Sequence, residues 1–185
     1  MNRNPRLSTS RAGISILVLV LSLLIACSVE APATSAVDEA AIYSAVIRQL
    51  YGPDDTFGGT LHPPVVYLVG RTDDGVGDPD SERAEPEILA ESLRSEIVLT
   101  LADLPAEFIW VDHRQDVALD PSNGEVVGGG VILTLGNIHR QEGGAVRVSG
   151  SVYIANLAAG GQTYIVERVD GAWTVMGTTG VQWMS

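Results

Sequence analysis

The chain has 185 residues, with 23 acidic side chains, 11 cationic ones and three histidines, and a formal net charge of −12. Such a surface repels nucleic acid and anionic lipid head groups, so neither is an expected partner. All eleven cations are arginine, and the absence of lysine removes Schiff-base chemistry and the phosphate-binding P-loop, while a single cysteine, Cys27, excludes an internal disulfide.

The N-terminus has three parts. Arg3, Arg6 and Arg11 precede the first acid, Glu30, and Ala12 to Ala26 form an apolar run of 15 residues. That length suits the hydrophobic region of a signal peptide and falls short of the roughly 20 residues that an ordinary membrane-anchor helix requires. The run ends Leu24-Ile25-Ala26-Cys27, which resembles the lipobox of bacterial lipoproteins. The resemblance implies a signal peptide over residues 1–26, cleavage before Cys27, a diacylglyceryl thioether on that cysteine, and export to the outer face of the cell membrane. Two or more acyl chains would anchor the protein stably, since each buried CH₂ contributes about 0.8 kcal/mol. The lipid would leave no free thiol, so thiol catalysis and cysteine-ligated zinc are not expected. Residues 28–185 carry 8 arginines against 23 acids, a formal −15.

Residues 27–36 read as the lipidated cysteine and a short tether of small and polar residues, and 37–185 as one globular domain. Tyr43, Val46, Ile47 and Leu50 recur at helical spacing, which predicts a helix over about 37–51, ended by Gly52-Pro53. Val65 to Val69 predicts a short buried strand, and Arg71 to Glu82 a loop. Pro86 suits the first turn of a second helix, whose apolar stripe is Leu89, Leu93, Ile97, Leu101 and Leu104. The period then changes to two, predicting strands at Phe108–Val111 and Val131–Leu135 with a turn-rich stretch between them. Val146, Val148, Val152 and Ile154 share one parity of a further strand. Gly160-Gly161 is expected to separate it from Thr163–Val169, and Asp170-Gly171 to close a hairpin with Trp173–Met176.

Two early helices and a late antiparallel meander predict an α+β domain, with both helices on one face of a curved antiparallel sheet of about five to six strands. The ending from Thr163 to Val175 resembles the closing hairpin of NTF2-like domains. That likeness implies a sheet wrapped round a helix, an NTF2/cystatin-like roll, with a cavity between them. The loops at 70–86 and 112–130 depart from that family's pattern, and none of its catalytic residues has a matching motif here.

The sharpest cluster is acidic: Asp73, Asp74, Asp78, Asp80 and Glu82, with Gly75 and Gly77 to turn the backbone. Several carboxylates on a flexible loop are what Ca²⁺ requires, although Gly75 comes too early for an EF-hand and no glutamate occupies its twelfth position. A solvated loop in an acidic protein is the plainer reading. His62, His113 and His139 show no zinc-binding spacing. Asp112 and His113 are adjacent and point to opposite faces of a strand, so they do not form a dyad. His139 could line a cavity beside Tyr67 or Tyr153. Gly128-Gly129-Gly130 precedes a strand, not a helix, and reads as a bulge or close backbone approach rather than a phosphate cradle. Trp110, Trp173 and Trp183 read as core or core-edge residues.

Two functions fit. One is an anchored, non-enzymatic module that binds a protein or small molecule and holds no cofactor. The other is a cavity enzyme using Asp112 with Tyr67 or His139 for proton transfer. The first is favoured, because no catalytic motif is present.

Overall fold

The computed structural model describes residues 36–80 and 83–185. Cys27, the signal segment and the tether lie outside the described residues, as does Glu82. The first helix, α1, spans Ala36–Tyr51 and carries Asp38 and Glu39 in its first turn and Arg48 in its last, each complementing the helix dipole. Strand β1 is Val65–Val69, helix α2 is Glu91–Thr100, and the remaining strands are β2 Glu107–Val111, β3 Val131–Leu135, β4 His139–Arg140, β5 Val146–Ala155, β6 Ala158–Val169 and β7 Ala172–Met184. Among the described residues no helix is long and apolar enough to cross a membrane.

The class is α+β, as the element pattern predicts, with two helices against one sheet of seven strands. The order is β2-β1-β3-β5-β6-β7, with β4 added on β5. The C-terminal half is the antiparallel meander expected from the sequence. The other half is not antiparallel: β1 runs parallel to both β2 and β3. A parallel pair needs a crossover between its strands, and the segment carrying α2 supplies it between β1 and β2. Hydrophobic period identifies the strands but says nothing about their direction, so the mixed sheet was not legible in advance.

Two boundaries also differ. Helix α2 starts at Glu91, with Ala90 extended at its N-cap, rather than near Pro86. Leu89 N donates to Gly70 O instead, holding that segment beside β1. Gly160 and Gly161 do not separate strands; they pair with Val152 and Ser151 inside β6, and the turn falls at Asn156-Leu157. The Asp170-Gly171 turn is placed as expected, with φ of 50° and 88° at its two central residues, the pattern of a type I′ hairpin.

Both helices pack on one face. Val46, Ile47 and Leu50 of α1 and Leu93 and Ile97 of α2 join Val66, Leu68, Leu133, Val148 and Tyr164 in the main core. Arg48 links the helices, donating from Nη2 to Thr100 O at 2.7 Å and from Nη1 to Asp103 Oδ2 at 3.0 Å. After α1 the chain is pinned by Asp55, 1% exposed, whose carboxylate accepts from Phe57 N, Gly59 N and Leu61 N.

The opposite face carries Ser149, Ser151 and Tyr153 of β5, and it too is covered. A smaller apolar cluster of Val69, Val117, Val126, Ile132, Tyr153 and Ala159 lies there, under the loop that follows β2. The Gly128–Gly130 run turns the chain into β3, with Gly128 and Gly129 at φ of 85° and 72° and Gly130 so close to Val65 O that a β-carbon would sit 3.1 Å from it.

Candidate functional site

The loop after β1 creates the site. Gly70 N donates to Val111 O, Thr72 N to Glu87 O and Asp73 N to Leu135 O, so the loop leaves the C-terminal end of β1 and turns across the helix-free face of the sheet. A short 3₁₀ turn, Asp74–Val76, then lies against β5 and β6. Two glycines make this approach feasible. A β-carbon at Gly77 would stand 2.5 Å from Ser149 Oγ, and one at Gly161 would overlap Val76 O. Trp183 of β7 closes the contact by donating Nε1–H to Val76 O at 2.9 Å.

Asp74 holds this loop down. Its side chain is 2% exposed, and Oδ1 accepts from Asn137 N at 2.8 Å while Oδ2 accepts from Ala84 N at 3.0 Å. His139 Nε2 lies 2.9 Å from Oδ2. A buried carboxylate is tolerated when it is fully hydrogen-bonded, and two backbone amides plus an imidazole meet that requirement. Thr72 Oγ1 bonds Asn137 Oδ1, and Asn137 Nδ2 donates to Glu85 O at 3.1 Å. Residues 72–74, 84–87 and 137–139 therefore form one polar cluster that clasps the loop.

Two recesses flank the clasp. The smaller, about 300 Å³, is lined by Asp74, Asp78, His139, Arg147, Ser149 and Thr163 among others. Its floor hydroxyls are engaged with each other, Ser149 Oγ lying 3.1 Å from Thr163 Oγ1. The larger, about 670 Å³, runs from Arg71 and Arg83 to Arg114, with Pro86, Tyr153 and Trp183 in its walls. The Arg114 guanidinium lies over the Tyr153 ring, 3.7 Å from its centroid. Tyr153 is itself fixed, donating its hydroxyl proton to Gly124 O at 2.8 Å.

The residues singled out in the sequence disperse. Asp112 stands at the end of β2, in the larger recess, with Arg94 Nη1 3.6 Å away. Tyr67 packs with the smaller apolar cluster, and His139 faces the smaller recess. The trio Asp112, Tyr67 and His139 is not brought together; the carboxylate beside His139 is Asp74. The acidic loop disperses as well. Asp73 caps the 3₁₀ turn by accepting from Gly75 N at 2.8 Å, Asp74 points inward, Asp78 accepts from Asp80 N at 3.0 Å, and Asp80 is exposed. Among the described residues no group of three or more His, Cys, Asp or Glu side chains is placed to hold a metal ion, so the suggested Ca²⁺ loop has no such set in Asp73, Asp74, Asp78 and Asp80. His62 packs near Tyr51, ring centroids 6.5 Å apart, and His113 opens the 3₁₀ turn Arg114–Asp116.

What sequence reading missed is the Asp74–His139 pair, because its partners are 65 residues apart. The only local signal is that Asp74 starts a Gly-rich turn and His139 follows a strand, and neither fact names the other. No family model, curated protein or solved structure matches the chain.

Proposed function

We propose that this chain is an exported lipoprotein, anchored through lipid on Cys27 to the outer face of the cell membrane, whose domain at 37–185 is a non-enzymatic module that binds a small molecule. The observation carrying the binding half is the larger recess: about 670 Å³, open, part apolar and part polar, on the face of the sheet that no helix covers. Volumes of roughly 300–1,000 Å³ with a few placed polar groups are typical of ligand sites. The anchoring half rests on the N-terminal charge, the 15-residue apolar run and the Leu-Ile-Ala-Cys ending. Expression of the full chain in a bacterial host with labelled fatty acid tests it. Label and cleavage before Cys27 should both disappear in Cys27→Ser, and label persisting in that variant refutes the anchor. For the binding half, amide chemical shifts of residues 37–185 are followed against a small-molecule library. Hits that perturb residues around Arg71, Arg83 and Tyr153 support it, and a library with no hit there counts against it.

A second reading, an enzyme of acid–base type, has one observation behind it. The Asp74 carboxylate orients His139 at the mouth of the smaller recess, as a buried carboxylate orients a general base. In that reading His139→Gln abolishes turnover of a substrate that still binds, and unchanged turnover removes it.

A further inference from the structure

The geometry points to a ligand class for the larger recess: we infer that it takes a small organic acid, an oxyanion head on an apolar body. This rests on the binding-module reading and adds the chemistry of the bound molecule.

The argument starts from charge pairing. In a chain with 23 acids and 11 arginines, each guanidinium has many carboxylates available. Arg48, Arg94 and Arg168 have carboxylates within 4 Å, those of Asp103, Asp112 and Asp38. Among the described residues the other five arginines have none within that distance, and three of the five, Arg71, Arg83 and Arg114, line the larger recess, while Arg147 lines the smaller. Three acids, Asp73, Glu85 and Asp112, share the recess, and two of them are engaged elsewhere. Asp73 caps Gly75 N, and Asp112 faces Arg94. Arg83 Nη2 donates to a carbonyl, Pro79 O at 3.3 Å. Three guanidinium groups with no carboxylate within 4 Å among the described residues thus line one concavity. A guanidinium that faces no protein carboxylate can take its oxyanion from a ligand.

Guanidinium groups match planar oxyanions because two parallel N–H donors reach two oxygens. Arg114 is positioned for that role, its guanidinium carbon lying 3.7 Å from the Tyr153 ring centroid. The body of the ligand is set by the walls. Pro86, Val69, Ala159 and the Trp183 indole, whose one polar atom is already bonded to Val76 O, offer apolar surface. Fully hydrated inorganic ions gain nothing from that surface, whereas an aryl or alkyl acid does. The surrounding negative field disfavours anions at long range, but it is screened beyond about 10 Å at 0.1 M salt, so direct contacts with the arginines inside the recess decide binding.

The test uses the full chain and calorimetry or amide shifts with four probes: benzoate, phenyl phosphate, inorganic phosphate and neutral benzamide. Benzoate or phenyl phosphate should bind and perturb residues 71–73, 83–86 and 112–115, and the tighter of the two identifies the head group. Inorganic phosphate and benzamide should each bind at least tenfold more weakly. Arg71→Gln and Arg114→Gln should each weaken the acid about tenfold, the loss of one charge-assisted contact. Among the described residues no aromatic ring lies against the Arg71 guanidinium, so Arg71→Gln keeps the test valid if Arg114→Gln disturbs Tyr153. Benzamide binding the recess as tightly as benzoate, or arginine variants binding unchanged, overturns the oxyanion assignment while leaving a binding module in place. Acid, neutral probe and library all failing there overturns both.

Discussion

Replacing Asp74 by asparagine isolates what the clasp contributes. The carboxylate accepts from two backbone amides, Asn137 N at 2.8 Å and Ala84 N at 3.0 Å, and faces His139 Nε2 at 2.9 Å. An amide of the same shape has one acceptor oxygen. If that oxygen serves Asn137 N, the new NH₂ faces the N–H of Ala84; if it serves Ala84 N, the NH₂ faces the N–H of Asn137. One backbone donor therefore loses its acceptor in either orientation. His139 can adapt by exposing a lone pair at Nε2, so its contact is replaced rather than lost. A charge-assisted hydrogen bond contributes about 1.5–3 kcal/mol, and a stranded buried donor adds to its loss. The expected destabilisation is about 3 kcal/mol, a fall of roughly 6–12 °C in Tm for a domain of this size. Urea unfolding of Asp74→Asn measures the total, and hydrogen exchange at Ala84 and Asn137 locates it. His139→Ala provides the contrast, because both amides keep their acceptor; it should destabilise by about 1 kcal/mol. A change below 0.5 kcal/mol in Asp74→Asn, or His139→Ala being the more damaging, would refute the idea that the carboxylate holds the loop through its amides.

Three further outcomes follow from packing and burial. Leu133 is fully buried in the main core, so Leu133→Ala should lower stability by about 3 kcal/mol in chemical denaturation, with an unchanged denaturant slope. Gly161→Ala places a β-carbon against Val76 O and within 2.7 Å of Trp183 Nε1, and should destabilise by about 1–3 kcal/mol while shifting the Trp183 indole N–H resonance; an unmoved resonance would mean that the loop does not rest on β6. Burial pushes the phenols of Tyr43 and Tyr164 above the ordinary value of about 10. The folded state keeps protons there that the unfolded chain loses, so this contribution is complete below pH 10 and is lost as the pH rises beyond it. Ultraviolet titration should show the two phenols ionising only together with unfolding, and smooth early ionisation of all five tyrosines would contradict their burial.

How much of this was legible beforehand depends on the range of each interaction. Helix α1, strands β1 to β3 and the Asp170-Gly171 hairpin could be read because each is specified by neighbours along the chain: Tyr43, Val46, Ile47 and Leu50 on one helical stripe, or an Asp-Gly pair that tolerates positive φ. The parity of β5 was also legible, yet its consequence was not. Ser149 and Ser151 sit on the polar parity and are 4% and 8% exposed, because the 70–86 loop folds over them. Similarly, Gly160-Gly161 has the composition of a turn, but those glycines serve a close approach by another segment instead.

The sequence by itself determined the class of the fold, the acidic surface without lysine and the absence of any internal disulfide, since composition and short-range period are properties of the chain alone. Strand direction, the pairing of Asp74 with His139 and the meeting of Arg71, Arg83 and Arg114 in one recess were decided by tertiary structure. Each joins residues far apart in sequence, and no local pattern records which distant partner a carboxylate or a guanidinium will face once the loop has closed over the sheet.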